Sequence, residues 1–124
     1  RAIMAQRLVR RLCPIYKEPG ELNETEMRAL RVEGSQLSDA KIMKPVGCDR
    51  CRGLGYKGRM GIFEIFVVDD EVRHMVNERK PTLLLRQKAR ELGMRTLRED
   101  GVRKVLAGMT SAEEVISITL GDAN

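Results

Sequence analysis

Three cysteines are the residues of this chain that could bind a metal. Cys48 and Cys51 form a C-x-x-C motif, and the segment that begins at Cys13 has the same spacing but carries Tyr16 in place of a second thiol. Structural zinc sites use four ligands in a tetrahedron, commonly two C-x-x-C pairs from distant parts of the chain. Two glycines after the second motif would let backbone N–H groups turn towards the thiolates. The pattern predicts a candidate zinc site made of Cys13, Cys48 and Cys51.

Tyr16 leaves this ligand set one thiolate short, because a phenol with an ordinary pKa near 10 is a poor zinc ligand at neutral pH. Three ligands and a water describe many catalytic zinc sites. The sequence has no H-E-x-x-H motif and Asp49 belongs to the cysteine motif itself, so no catalytic residue is assigned. Either three cysteines bind zinc, or the fold is metal-free and Tyr16 packs where the fourth sulfur and the metal would have been. The missing thiolate favours the metal-free alternative.

Length and composition indicate one globular domain. A chain of 124 residues with 42% hydrophobic and 33% charged residues can bury a core without a metal or disulfides. No apolar run approaches the roughly 20 residues of a membrane span, so we expect no membrane insertion. The odd number of cysteines excludes a complete disulfide framework and favours reduced thiols in a cytoplasm. Because the chain starts inside a periodic segment, we expect a piece of a longer protein.

The net charge of +5 is unevenly spread. Residues 1–17 carry five basic groups and no acidic one, whereas residues 18–40 carry six acidic groups and two arginines. Such alternation indicates complementary surfaces between segments or subunits. Aromatic side chains that could stack on bases are scarce, so nucleic acid is not expected as a partner.

The first half of the chain predicts two helices and a short strand. We expect a helix over residues 1–12, because its apolar residues repeat at i, i+3, i+4 and i+7. A second helix should begin after Asn23, which forms a capping box with Glu26. Residues 40–47 predict a short strand that leads into the cysteine motif.

The second half predicts a strand followed by helices. Residues 61–68, GIFEIFVV, are typical of a strand buried on both faces. Helices should follow from Asp69 or Asp70 onwards, with His74 exposed on the first of them. The residues expected to cap helices or to allow close helix packing are Gly93, Gly101, Gly108 and the pair Ser111 and Glu114.

Three segments then resemble a known family. AQRLVRRLCP, VGCDRCRGLGYKGRMGIFEIFVVDDEVR and GMRTLREDGVRKVLAGMTSAEEV are similar, in the same order, to the C-terminal part of the ATPases of type II secretion and type IV pilus assembly. The resemblance covers nearly the whole chain except the acidic segment 19–40. It implies an α+β, mostly helical fold: the end of a RecA-like ATPase domain with a helix over 1–12, a zinc-knuckle-like subdomain over 13–60, and a strand with a helical C-terminal bundle over 61–120.

The resemblance also implies a function for the parent protein. These proteins look like hexameric P-loop motors at the cytoplasmic face of the bacterial inner membrane, which use ATP and Mg²⁺ to drive assembly through a membrane platform protein. Arg59 matches an arginine that approaches the nucleotide, and the alternative for Arg59 is an ion pair with Glu64. Arg7 and Arg10 are expected near the subunit interface. No G-x-x-x-x-G-K-[ST] motif is present, so this chain alone is not expected to hydrolyse ATP.

Two other classes of protein remain open from the sequence. CDRCRGLGY resembles the zinc repeat of J-domain chaperones, and a basic zinc ribbon could bind nucleic acid. Repeated C-x-x-C-x-G-x-G motifs would select the chaperone, and strongly salt-dependent DNA binding would select the zinc ribbon. The sequence does not choose between secretion and pilus assembly.

Overall fold

The computed structural model describes residues 2–120 as an α+β fold with five α-helices and two small antiparallel sheets. The strands are β1 (Ala2–Leu12), β2 (Glu18–Pro19), β3 (Met43–Lys44) and β4 (Tyr56–Val67). The helices are α1 (Glu24–Leu30), α2 (Asp70–Asn77), α3 (Thr82–Glu91), α4 (Leu97–Leu106) and α5 (Ala112–Ile118). Two 3₁₀ turns lie at Gly34–Leu37 and Asp49–Cys51. No helix among the described residues has the length and apolar character that crossing a bilayer requires.

The helix predicted over residues 1–12 is wrong, because residues 2–12 form strand β1; Arg1 lies outside the described residues. Strand β1 pairs antiparallel with β4, from Ala2 opposite Val67 to Arg10 opposite Arg59. The apolar spacing does not distinguish a helix from a strand here. Ala5 and Val9 are four residues apart, and this separation places two residues on the same face of either element. Leu12 joins this inner face because the register shifts between Arg10 and Leu12.

The strand predicted from GIFEIFVV is confirmed, although it begins earlier, at Tyr56. Burial on both faces is not observed. Ile62 on the inner face is fully buried, whereas Phe63 and Ile65 on the outer face are exposed. Helices α4 and α5 pack on the β1–β4 hairpin and bury its inner face. The outer face of this hairpin is therefore an apolar surface.

The helical caps follow the sequence closely. Asn23 and Glu26 form the reciprocal capping box of α1, and Asp69 caps α2 by accepting from the N–H of Val72 at 2.8 Å. Gly93 and Gly108 end helices with φ values of 95° and 75°. These local signals are confirmed because each depends on residues only three or four apart.

Helices α4 and α5 close the core over the hairpin. The fully buried apolar residues of this core include Val9, Ile62, Val105 and Val115. The acidic segment packs beside them through α1, whose Leu30 is buried in the same cluster. Further along, β3 lies where a short strand was predicted and forms a two-residue ladder with β2. The hairpin, the helices and this ladder together hold the cysteine-bearing loops at one end of β1.

Candidate metal centre

The three cysteines lie together, as the sequence predicted. Cys13 follows the end of β1, and Cys48 and Cys51 flank the 3₁₀ turn Asp49–Cys51. The Sγ atom of Cys48 lies 3.7 Å from that of Cys13 and 3.6 Å from that of Cys51. All three sulfurs lie within 4.8 Å of one another. A disulfide would require about 2.05 Å, so the cysteines are free thiols.

Glycine-rich backbone shapes the loop around Cys51. Gly53 and Gly55 have φ values of 78° and 83°, which turn the chain back over the thiol of Cys51. A Cβ on Gly55 would lie 2.5 Å from the Cβ of Pro45, so a larger residue does not fit. The N–H groups of Cys48 and Gly55 both donate to Cys51 Sγ at 3.2 Å. The Gly55 carbonyl accepts from the N–H of Cys13 at 3.0 Å, which joins the loop to the end of β1.

These contacts separate the acidities of two thiols. Desolvation opposes ionisation of Cys51, but the N–H groups of Gly55 and Cys48 stabilise its thiolate and lower its pKa to about 7. At Cys48 a backbone hydrogen bond at Cys51 favours the thiolate, but desolvation and the contacts with the other two thiols raise its pKa. Of these two thiols, Cys51 therefore forms the thiolate more readily, and the thiolate is the ligand form that zinc requires.

The sulfur geometry fits three corners of a zinc site. Zinc–sulfur bonds of about 2.3 Å in a tetrahedron place the sulfurs about 3.8 Å apart, and the two short separations here are 3.6 and 3.7 Å. Tyr16 does not occupy the remaining corner, because its side chain is 43% exposed and its hydroxyl donates to Glu18. The expectation that Tyr16 packs in place of the missing sulfur and metal is wrong.

Arg59 lies apart from the cysteines, in the first half of β4. Its side chain is exposed, and its neighbour across the hairpin is Arg10. Within residues 2–120 Arg59 makes no ion pair with Glu64, whose Oε1 instead accepts from the N–H of Leu97 at 3.2 Å. The intramolecular alternative for Arg59 is thus not observed, and its guanidinium is accessible to a ligand.

Arg10 has a role that the sequence did not indicate. Its backbone N–H donates to Glu114 Oε1 at 2.9 Å, and its guanidinium forms a salt bridge to Glu114 Oε2 at 3.0 Å. The guanidinium also lies 4.1 Å from the centre of the Tyr56 ring, and the Tyr56 hydroxyl contacts Ser111 Oγ at 2.7 Å. This cluster fastens the hairpin to the start of α5. The Glu114 carboxylate therefore binds Arg10 and not the backbone N–H of Ser111, so the reciprocal capping box predicted for Ser111 and Glu114 is not formed.

Comparison with known proteins places these features in a family context. The family model described as "Type II/IV secretion system protein" matches residues 1–117. The chain is 42% identical over 118 residues to the type IV pilus assembly ATPase PilB of Thermus thermophilus, covering 95% of the chain and 13% of that protein. It is 40% identical over 121 residues to type II secretion system protein E of Aeromonas hydrophila, covering 98% of the chain and 24% of that protein. The chain thus spans only a small part of these relatives.

Proposed function

Since the chain belongs to the family of type II/IV secretion system proteins, we propose that it is the C-terminal module of a motor ATPase. In this proposal the parent protein assembles as a homohexamer at the cytoplasmic face of the bacterial inner membrane. It binds ATP and Mg²⁺ mainly through residues outside this chain, and the module contributes subunit contacts and the rim of the nucleotide site. The motion of the parent protein is passed to a membrane platform protein of a secretion or pilus machine. Family membership favours this interpretation over a chaperone-type or nucleic-acid-binding zinc module.

The observation that carries the proposal is the outer face of the β1–β4 hairpin. Five apolar side chains lie on it with exposures between 36% and 59%: Met4, Leu8, Phe63, Ile65 and Val67. No other described strand pairs with β1 or β4. A contiguous apolar face beside an open strand edge is typical of a surface that another part of a protein covers. We infer that the rest of the ATPase domain, which the relatives carry in their additional length, packs here.

A substitution on this face tests the proposal. Ile65→Glu places a charge on the outer face, so the isolated chain should unfold at nearly the same urea concentration as the unmodified chain. In the longer protein the same charge would be buried without a partner, which is costly, and ATP turnover should fall at least about tenfold. The matched control is Leu83→Glu, which places the same charge on an exposed leucine of α3. Equal turnover by the Ile65 and Leu83 variants would contradict the proposal.

Arg59 is proposed to contact the nucleotide of the parent protein. The position is supported by its exposed side chain, which follows Gly58 with a φ of 79° in β4. A guanidinium can hold phosphate oxygens with two hydrogen bonds or stack on a base. In the longer protein, Arg59→Ala should weaken ATP binding or turnover, whereas the isolated chain should show no ATPase activity above background. Unchanged ATP affinity and turnover of the longer protein after Arg59→Ala would contradict this assignment. Turnover by the isolated chain that Arg59→Ala abolishes would instead contradict its expected inactivity.

We also propose that Cys13, Cys48 and Cys51 bind one zinc ion. The short sulfur separations and the lowered pKa of Cys51 support this more strongly than the sequence alone did. The ion would have a structural role, since it would tie the end of β1 to the loop that precedes β4. Elemental analysis of the purified chain should find about one zinc per chain, and Cys48→Ser should lose it. A metal-free wild-type chain after growth in zinc-supplemented medium would contradict this part of the proposal.

A further inference from the structure

A cleft of about 450 Å³ shares no lining residue with the proposed metal centre. It is formed by the end of α1, the 3₁₀ turn Gly34–Leu37, the end of α3, and α4 with the two residues before it. Five arginines line this arginine cleft: Arg31, Arg90, Arg95, Arg98 and Arg103. Its volume lies in the range of about 300–1,000 Å³ that holds small ligands.

Two of these arginines are already neutralised by carboxylates. Arg90 donates to both oxygens of Glu99, at 2.7 and 2.9 Å. Arg103 donates to Asp100 at 3.0 Å, although Asp100 also binds Lys104 at 2.8 Å. These ion pairs lie in the wall of the cleft and leave little net charge to attract a ligand. The exception is Asp100, which pairs with two cations, so that one positive charge remains there.

Arg98 is fixed in place but keeps its charge. Its guanidinium donates to the hydroxyl and the carbonyl oxygen of Thr119, at 2.9 and 3.1 Å, and to the carbonyl oxygen of Ala29 at 3.3 Å. All three acceptors are neutral groups. Among residues 2–120, Arg98 is therefore held in a defined position with no carboxylate partner.

Arg31 and Arg95 add two further charges at the rim of the cleft. Both side chains are exposed, and neither guanidinium has a hydrogen bond or ion pair in the part of the chain that the structure describes. Together with Arg98 they place three arginines around one cavity that have no carboxylate partner among the described residues. Glu99 is the acidic residue among the described lining residues of the cleft, and its carboxylate already accepts hydrogen bonds from Arg90.

The floor of the cleft limits what the ligand can be. It is aliphatic, formed by Leu30, Val102 and Leu106, and none of the described lining residues is aromatic. A nucleobase would find no ring on which to stack, whereas guanidinium groups match phosphate oxygens in shape and charge. We propose that the arginine cleft binds a small anion that carries two or more phosphate groups and that it recognises those groups and not a base. This function is independent of the nucleotide contact proposed for Arg59 on β4.

The test uses the ¹⁵N-labelled chain of 124 residues, titrated with sodium pyrophosphate at constant ionic strength. We expect saturable shifts of the amide signals that surround the cleft, and we expect Kd to rise with added sodium chloride. ATP should shift the same signals, since it shares the phosphate chain, and AMP should bind more weakly because it carries one phosphate. ATP shifts confined to β4 around Arg59, with none at the cleft, would overturn this inference and leave the proposed function standing.

Matched variants decide whether the arginines are responsible. Arg31→Gln with Arg95→Gln should raise Kd for pyrophosphate at least about tenfold. The control is Arg79→Gln with Arg86→Gln, two exposed arginines outside the cleft, one of which has a φ of 56° that matches the 57° of Arg31. Both double variants remove two charges, so any general electrostatic effect is equal. Equal Kd values for the two double variants, or no saturable binding by the wild-type chain, would overturn the inference.

Discussion

Gly101 on α4 packs directly against Val115 on α5. A Cβ atom added to Gly101 would stand 2.5 Å from Val115 Cγ1, far inside van der Waals contact. A glycine within a helix costs about 1 kcal/mol of stability relative to alanine, so this residue is favourable only because it allows the two helices to approach. The contact lies in the core that α4 and α5 form beneath the hairpin.

Gly101→Ala should therefore destabilise the chain although it raises helix propensity. The new methyl group must displace the buried side chain of Val115, and overpacking of this kind costs about 1–3 kcal/mol. We expect a net loss of about 1–2 kcal/mol in the free energy of unfolding, measured by urea denaturation. Gly34→Ala is the control, because a Cβ there meets no atom within 4 Å. Equal midpoints for the two variants would show that the helices can separate without cost.

Glu114→Ala should loosen the attachment of α5 to the hairpin. The Glu114 side chain is only 9% exposed and accepts from the backbone N–H and the guanidinium of Arg10. Removing it leaves the Arg10 N–H without its acceptor, at a cost of about 1–3 kcal/mol. Because the Arg10 guanidinium is half exposed, loss of the ion pair itself adds little to this loss of stability. Urea denaturation of Glu113→Ala, an exposed carboxylate on the same turn, should show a change within about 0.5 kcal/mol.

Glu99 should make stability depend on pH in the acidic range. Its hydrogen bonds from Arg90 lower its pKa from 4.5 to about 2. A carboxylate with a lowered pKa stabilises the fold above its ordinary pKa, and this stabilisation is lost as the pH falls from about 4.5 towards 2. The side chain is 44% exposed, so the effect should stay below about 1 kcal/mol.

The pH effect is measured as a difference between two proteins. Glu99→Gln keeps an acceptor for the N–H of Thr96 but cannot ionise. Urea midpoints of the wild type should therefore approach those of the variant as the pH falls from 6 to 3. The pKa of Asp100 is also lowered, because the hydrogen bond from Lys104 outweighs the effect of burial. Asp100 titrates in both proteins, so its contribution cancels in the difference between them. Parallel pH profiles would contradict the role given to the Arg90–Glu99 pair.

The parts of the fold that the sequence predicted are those decided locally. Capping residues such as Asn23 and Asp69 depend on neighbours a few residues away and were predicted correctly. The close approach at Gly101 was also predicted, from a glycine inside an apolar helical pattern, although its partner Val115 lies on the next helix. The cysteine cluster was also predicted, because the shared C-x-x-C spacing is a strong pattern even with Tyr16 in it. Arg59 was selected by family resemblance, and its contact with nucleotide stays a prediction.

The features that the sequence missed depend on long-range pairing. Whether residues 1–12 form a helix or a strand is decided by β4, more than forty residues away, and not by the spacing of Ala5 and Val9. The salt bridge between Arg10 and Glu114 joins residues 104 positions apart, so no local sequence motif predicts it. The apolar pattern of GIFEIFVV correctly indicates two apolar faces, but this chain covers only one of them.

Tyr16→Cys should complete the metal centre. The change restores the spacing that Cys48 and Cys51 already have, and Tyr16 gives up only a surface contact with Glu18. A fourth thiolate would replace a water on zinc and should tighten binding at least about tenfold, equivalent to about 1.4 kcal/mol. Competition with a chromophoric chelator measures the affinity, and Tyr16→Ala is the control because it removes the same phenol without adding a thiol. If the cysteine variant holds zinc no more tightly than the alanine variant, the loop after Cys13 cannot bring residue 16 to the fourth corner.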